Sequence, residues 1–515
     1  MTRLFGLETE YGLYVEGKEV GDLVHEAAQV VRSYPDKWAG PWDYRHEDPR
    51  RDARGFRVDR LATNPEDDKI DAHAPRRSTD AETRSDRVLA NGARLYNDHG
   101  HPEYSTPECS NLFDLVAHDK AGERVVLACA RARVGRASQP DTTDESGRDA
   151  RPTISIYKNN TDHHGMSYGT HENYLVRREV PFEKLIEGLT PFFVTRQIFA
   201  GAGKVGGETG AAKGAVFQLS QRAEFFTTEV GVDTLDRRPI INSREEPHAN
   251  ARKWRRLHVI VGDANMSEYA TALKVGTTSL VLSLLEQGWQ PLITLKHPVQ
   301  ALHHISKDPS RKWEVEVESD RRSGIPARHL NAIDLQRLYL SESRAAFAGE
   351  SDSVDWVLTE WQSVLDGLDA DPWSLDDRVD WVAKEKLLQQ YLDSEGIRWD
   401  DPILQSLDLE YHNVDPEVGL YYGLEQAGAR RRIVTDDDIA RAMTQPPSDT
   451  RAFVRGLCVA RFRDTIQSVT WSRIIAKDGD KRVTIDLSNV IGARVEEINR
   501  RASAAKSVSD LSELR

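Results

Sequence analysis

The sequence predicts an α+β protein: an antiparallel or mixed sheet with helices on one face, and a small domain at the C-terminus. Three observations support this. Strand-like and helix-like segments follow one another without the regular β-α-β-α rhythm of a doubly wound parallel sheet. The tract 330–400 is mainly helical in pattern. Composition changes near Gly428, dividing the 515 residues into a larger unit, 1–428, and a smaller one, 429–515.

The elements follow in order. Residues 3–13 read as a strand. Residues 21–33 read as a helix, because Leu23, Val24, Ala27, Ala28, Val30 and Val31 form one apolar stripe. A charged insertion runs over 37–87; Trp42, Tyr44 and Phe56 suit its first half to docking, and Asn64 to Asp86 has the composition of a disordered segment. Strand-like alternation returns at 92–98, and 111–135 reads as a helix. A polar connector fills 136–152, and strands are expected at 153–158, 168–176, 215–219, 239–243 and 256–262. Ser267–Gln287 predicts a helix, with Asp263 and Asn265 placed to cap its start and Gly288 its end. A charged helix closes the chain around 494–515, and there are no internal repeats.

Bulk composition narrows the function. The chain is 39% hydrophobic and 30% charged, as a soluble globular protein is. A net charge of -14 argues against broad nucleic-acid binding, which needs a basic surface. The basic runs Arg252–Arg256 and Arg430–Arg432 read as solvated faces when taken alone. No apolar run approaches the roughly 18 residues of a membrane span, and Met1–Glu8 lacks the apolar core of a signal peptide. Cys109, Cys129 and Cys458 fit neither a disulfide framework nor a metal-ligand spacing, so a cytoplasmic setting is expected.

Four clusters carry candidate chemistry. In a strand, Glu8 and Glu10 share a face at about 7 Å, where they repel by roughly 2 kcal/mol at an effective dielectric near 20. A divalent cation or a basic partner reverses that cost; an exposed edge strand has the same pattern. Parity next places Arg94, Tyr96 and Asp98 on one face, and the following turn adds His99, His101 and Glu103. Asp98 suits a general base or a nucleophile, Glu103 a metal ligand, and an Arg94–Asp98 salt bridge is the structural alternative. Third, His171 and Asn173 share a face after Gly169, which permits close backbone approach. Fourth, Arg256 and His258 lie opposite the apolar face of Leu257, Val259 and Val261, and with Arg244 they suit an anion. The stretch Gly201–Gly207 lacks the Gly-Lys-Ser/Thr ending of a phosphate loop and reads as a flexible loop.

Taken together, these residues resemble the Pup ligase/depupylase family. The resemblance rests on Glu8-Thr9-Glu10-Tyr11-Gly12, Asn91–Tyr96, His101-Pro102-Glu103-Tyr104, Lys158–Asp162, His171-Glu172-Asn173-Tyr174, Ser220-Gln221-Arg222 and Arg255–Asp263, and it extends from Gly6 to about Trp471. Trp42-Asp43-Tyr44, Arg51–Phe56 and the spacing from Asp98 to Glu103 resemble the depupylase branch; ligases lack that loop and carry one more residue in that spacing. The opening Gly6–Glu10 is closer to the ligase form.

The resemblance implies a glutamine synthetase-like curved antiparallel β-sheet backed by helices and cradling ATP and Mg²⁺, with a small C-terminal domain. It implies metal contacts from Glu8, Glu10, Tyr96 and Glu103, with His171 or His258 as further ligands. It places Arg94, Thr106, Arg222 and Trp471 at the nucleotide, Arg244 near its phosphates and Asp98 as the catalytic carboxylate. The implied activity is hydrolysis of the isopeptide bond between the C-terminal Glu of Pup (prokaryotic ubiquitin-like protein) and a target lysine, and deamidation of a C-terminal Gln of Pup. ATP would be a bound cofactor, and the partners would be Pup and pupylated proteins. Arg430–Arg432 is a candidate wall of the Pup groove. The competing readings are an ATP-dependent Pup-protein ligase, a small-molecule glutamate-amine ligase and an inactive Pup-binding adaptor.

Overall fold

A computed structural model describes residues 3–18, 20–36, 41–62, 85–137, 153–208, 214, 216–318 and 328–512. All but the ends of the segment expected to be disordered and of the connector 136–152 lie outside these residues.

The main sheet has six strands, in the order Trp254–Val259, Thr170–Arg177, Phe5–Glu10, His101–Ser105, Arg94–Asp98 and Arg87–Val88. Every pairing within it is antiparallel. With its helices it makes the α+β fold expected from the sequence. The side chains of Phe5, Leu7, Tyr174, Leu257 and Val259 pack into the larger hydrophobic core. There they meet Leu112 and Leu115, Leu185 and Leu189, and Leu273 and Leu280 from three helices, Leu112–Ala137, Phe182–Thr195 and Glu268–Glu286. The two-residue period of a strand then leaves Glu8, Glu10, His171, Asn173 and His258 on the opposite face.

The strand expected over 3–13 is two strands. After Tyr11 the chain leaves the main sheet, and Gly12–Val15 pairs with Ile154–Tyr157. Glycine is required at the crossing, because a Cβ on Gly12 would lie 2.5 Å from the Tyr168 hydroxyl and 2.9 Å from Asn159 Oδ1. The segment read as a turn with His101 and Glu103 is instead the strand His101–Ser105. Only His99 and Gly100 turn the chain, both at positive φ (45° and 89°), as the tightest hairpin turns demand. Asp98 and His101 therefore face each other across the first rung.

The long helix Glu268–Glu286 is capped by Ser267, whose hydroxyl accepts from Ala270 N. This corrects the expectation for Asp263 and Asn265. The Asp263 carboxylate accepts from Ala202 N, Ser220 Oγ and Gln221 N, and Asn265 donates to Ala200 O and Asp380. Gly288 follows the helix at φ 88°, as a C-terminal stop does. Gly201–Gly207 is not a free loop either: Lys204–Val205 pairs with Phe217–Gln218, and the buried Lys204 ammonium bridges Glu208 and Glu224.

A second hydrophobic cluster gathers residues from Val454 to Leu511 around a three-stranded antiparallel sheet, Ile466–Thr470, Arg473–Asp478 and Lys481–Asp486. Trp42 and Val88 belong to it, so the first half of the insertion docks there. Val434, Ile439 and Ala442 join the larger core. No described helix is long and apolar enough to cross a membrane.

One packing contact decides between two opposed effects. Gly276 lies inside the helix Glu268–Glu286, where alanine would gain about 1 kcal/mol of helix propensity. A Cβ there would lie 2.5 Å from Val357 Cγ2 and 3.1 Å from Leu112 Cδ2. Val357 is β-branched and helical, so it cannot swing aside, and overpacking of this kind costs about 1–3 kcal/mol. Gly276→Ala should therefore lower the urea midpoint; a raised midpoint would show that the helices separate freely.

Candidate functional site

The polar face of the sheet floors a cavity of about 330 Å³. Eleven of the twelve residues to which the resemblance gives a site role line it: Glu8, Glu10, Arg94, Tyr96, Asp98, Glu103, His171, Arg222, Arg244, His258 and Trp471. Thr106 lies instead in an adjoining apolar pocket of about 90 Å³. Its hydroxyl oxygen accepts from Leu7 N at 3.0 Å. Glu8, Ser105, His248, Arg256 and Trp471 line both spaces.

The strand register sets the contacts across the floor. Glu8 stands opposite His171 on one side and Ser105 on the other, while Glu10 stands opposite Glu103. The candidate metal ligands divide into two groups, Glu8–His171–His258 and Glu10–Asp98–Glu103, each with ligand atoms within 4.8 Å of one another. Tyr96 adjoins the second group, where its hydroxyl donates to Glu103 Oε1 at 2.6 Å. Gly169 N donates to Glu10 Oε2 at 2.9 Å, and a Cβ on Gly169 would lie 2.3 Å from His171 Nε2. The close approach expected at Gly169 is therefore present.

Electrostatics separates the two groups. Burial pushes the Glu103 carboxyl well above its ordinary range, reinforced by Asp98, Glu8 and Glu10 and opposed by the Tyr96 hydrogen bond. Burial also acts on Glu8, but His171, His258 and Arg256 outweigh it and hold that carboxyl well below its usual range. The all-oxygen group thus carries more negative charge than it can hold unaided, and its donors suit Mg²⁺.

The cations come from several elements. Arg94 does not pair with Asp98; its Nε and Nη2 donate to Asp86 Oδ1 at 2.9 and 2.7 Å, and Nη2 also donates to the Tyr44 hydroxyl at 2.6 Å. Its guanidinium lies over the rings of Tyr96 and Trp42, at 3.8 and 4.2 Å from their centroids. Arg244 donates to Val232 O and Thr234 Oγ1, and Arg222 to Ile260 O. Burial, then Arg238, pulls Arg222 down to about 9, a cost that a bound anion would offset. Arg256 donates to Asn173 Oδ1 at 2.7 Å. Arg430 is buried against Asp380, and Arg431 and Arg432 also meet acidic side chains, so this run is not an open basic wall.

Two contributions were not foreseen from the sequence. Asp86 has no local pattern that marks it as the partner of Arg94. Glu108 lines the apolar pocket and is gripped by Arg451 and Arg455, and Arg455 lies 4.7 Å from the Trp471 ring centroid. These partners are 343 and 347 residues away in sequence.

The chain matches the Pup-ligase protein family over residues 3–475. It belongs to that family. It is 43% identical to a depupylase of Acidothermus cellulolyticus, over 92% of this chain and 91% of that protein. It is 42% identical to a Pup deamidase/depupylase of Mycolicibacterium smegmatis, over 94% of both chains. A Pup–protein ligase of a Nocardioides species is 41% identical over 78% of this chain and 87% of its own length. The structure of the Pup ligase PafA in complex with ADP superposes with a TM-score of 0.71 at 29% identity, covering 87% of this chain and 96% of that one.

Glu108 yields a pH prediction. Burial opposes its charge, but Arg455 and Arg451 prevail and bring the carboxyl from 4.5 down to about 2. A depressed carboxyl stabilises the fold above its unfolded value, and the benefit is lost as pH falls through the folded value. The shift corresponds to something on the order of 3 kcal/mol. The Tm gap between the native chain and Glu108→Gln should be widest near neutral pH and narrow as pH drops from about 5 towards 3; a constant gap would remove the ion pair as its cause.

Proposed function

We propose that this chain is a Pup deamidase/depupylase. It hydrolyses the isopeptide bond between the γ-carboxyl of the C-terminal Glu of Pup and a substrate lysine, and removes the amide from a C-terminal Gln. ATP and Mg²⁺ serve as bound cofactors, Pup and pupylated proteins are the partners, and the cytoplasm is the setting. The reading is supported above all by the extent of similarity: relatives with this activity in their names align over 92–94% of the chain, whereas the Nocardioides ligase aligns over 78%. The segment around Trp42 and Tyr44, which resembles the depupylase loop, supports it further by packing on Arg94.

The donor set fits the cofactor. Glu10 and Glu103 would hold Mg²⁺, with Tyr96 orienting Glu103, and Arg222, Arg244 and Arg94 would meet phosphate oxygens. The apolar pocket with Thr106 and Trp471 suits a nucleotide base. Mg²⁺, when bound, supplies positive charge for oxyanions in the cavity. Asp98, at the hairpin end of its strand, supplies the carboxylate that attacks the amide carbonyl carbon or activates a water to do so. The C–N bond breaks and the lysine amine leaves with a proton. Where Asp98 itself attacks, this leaves an acyl anhydride on Asp98 that a water then cleaves; where Asp98 activates a water, that water adds directly. By either route one water is consumed and Pup regains a free γ-carboxyl. Arg94 or Arg244, together with Mg²⁺ when bound, would stabilise the charge that develops on the carbonyl oxygen.

Incubation with Mg-ATP and a purified Pup conjugate should release free Pup without stoichiometric ADP. Asp98→Asn should slow release by at least about 100-fold while leaving Pup binding intact. Normal turnover in that variant would remove Asp98 from the chemistry. Formation of conjugate with one ADP per bond would identify a ligase, and reaction of free glutamate with an amine would identify a small-molecule ligase.

A further inference from the structure

Trp471 lines both the apolar pocket and the larger cavity. It stands at the tip of a two-residue hairpin, because Thr470 and Arg473 are directly paired. A ring at such a tip is held only by what packs on it. The guanidinium of Arg455 lies over it, 4.7 Å from the ring centroid and within cation–π range, and Arg455 Nη1 donates to Trp471 O at 3.4 Å.

Arg455 is fully buried and belongs to the helix Ala452–Phe462. Its remaining bonds go to the larger unit. Nε donates to Gly92 O at 2.9 Å, and Nη1 and Nη2 donate to the two oxygens of Glu108. The helix itself is seated closely: a Cβ on Gly92 would lie 2.8 Å from Ala452 O, and a Cβ on Gly456 would lie 2.3 Å from Ala90 O. One side chain thus joins the turn at Gly92, the pocket wall at Glu108 and the hairpin tip at Trp471. A planar fork with donors on separate nitrogens meets all three at once, whereas a lysine ammonium gathers its donors on one atom. Arg451 adds a second fastening. Its Nε donates to Glu108 Oε1 at 2.6 Å, and its Nη1 to His248 O and Leu487 O at 2.6 and 3.0 Å.

We propose that Arg455 is a positioning residue for the nucleotide. Anchored by Glu108, it sets the Trp471 ring against the apolar pocket, and so governs how tightly ATP is held rather than how fast the bound conjugate reacts. The inference rests on the proposed reading of that pocket as the seat of the nucleotide base.

The test measures Mg-ATP binding to the full chain by calorimetry, apart from turnover. Arg455→Lys, which keeps the charge and loses the fork, should weaken ATP binding by at least about tenfold. The ATP concentration that gives half-maximal Pup release should rise in step, while the rate at saturating ATP stays within about twofold of the native chain. Glu108→Asp keeps its charge but withdraws it by one methylene; it should act in the same direction, and it carries the test if the lysine variant does not fold. Trp471→Ala should also weaken binding, and adding Arg455→Lys to it should cost less than about twofold more, because the arginine acts through the ring. Fully additive losses, native ATP affinity in the folded variants, or a lower saturated rate at unchanged affinity would overturn the proposal. Pup release by the native chain is scored separately. ATP binding that depends on Arg455 without any release of Pup keeps this role and sinks the depupylase reading; release of Pup with ATP affinity indifferent to Arg455 does the reverse.

Discussion

A one-residue slip of the strand Phe5–Glu10 against its neighbours would turn Glu8 and Glu10 into the helix-packed core and Phe5 and Leu7 into the cavity. The apolar face forbids that slip, because it is locked among the helices behind the sheet. Fixed from behind, the strand holds Glu8 opposite His171 and Glu10 opposite Glu103. Gly12 then carries the chain out of the sheet, in the space left by Tyr168 and Asn159. The positions of the functional groups are thus set by packing on the side of the sheet that takes no part in the chemistry.

Such crowding of carboxylates is costly, and the structure answers it unevenly. Glu8 is surrounded by imidazole and guanidinium groups that favour its charge, while Glu103 is surrounded by other acids. Arg94, the cation nearest in sequence, is drawn to Asp86 and the aromatic rings of the inserted segment. Its charge is thereby fixed in place at the cavity wall. The insertion helps build that wall, because Trp42 also packs edge-on against Trp471 at 5.2 Å.

Local periodicity made much of this legible. Alternation in the segments holding Glu8, Arg94, His171 and His258 placed these residues on the correct faces, and apolar stripes located the helices. What could not be read depends on long-range pairing. His101–Ser105 contains Pro102 and begins after a two-residue turn, so its strand character comes from its partners on both sides. The sheet over 466–486 is short-stranded and polar on one face, and it is stabilised by a cluster that borrows Trp42. Asp263 looked like a helix cap because it is an acid near a helix start; its three donors come from segments at least 42 residues away. Thr106 sits beside the cavity because its hydroxyl binds the backbone of Leu7.

The turn at His99–Gly100 has a further consequence. Two residues are the shortest link that lets Asp98 and His101 face one another, so the hairpin contains no slack. Lengthening it by one residue would exchange inward and outward positions along one arm, unless a bulge absorbed the extra unit. Loop length at this tip is therefore an evolutionary dial: a single codon gained or lost can re-aim an acid against its neighbours while every side chain in the cavity keeps its identity.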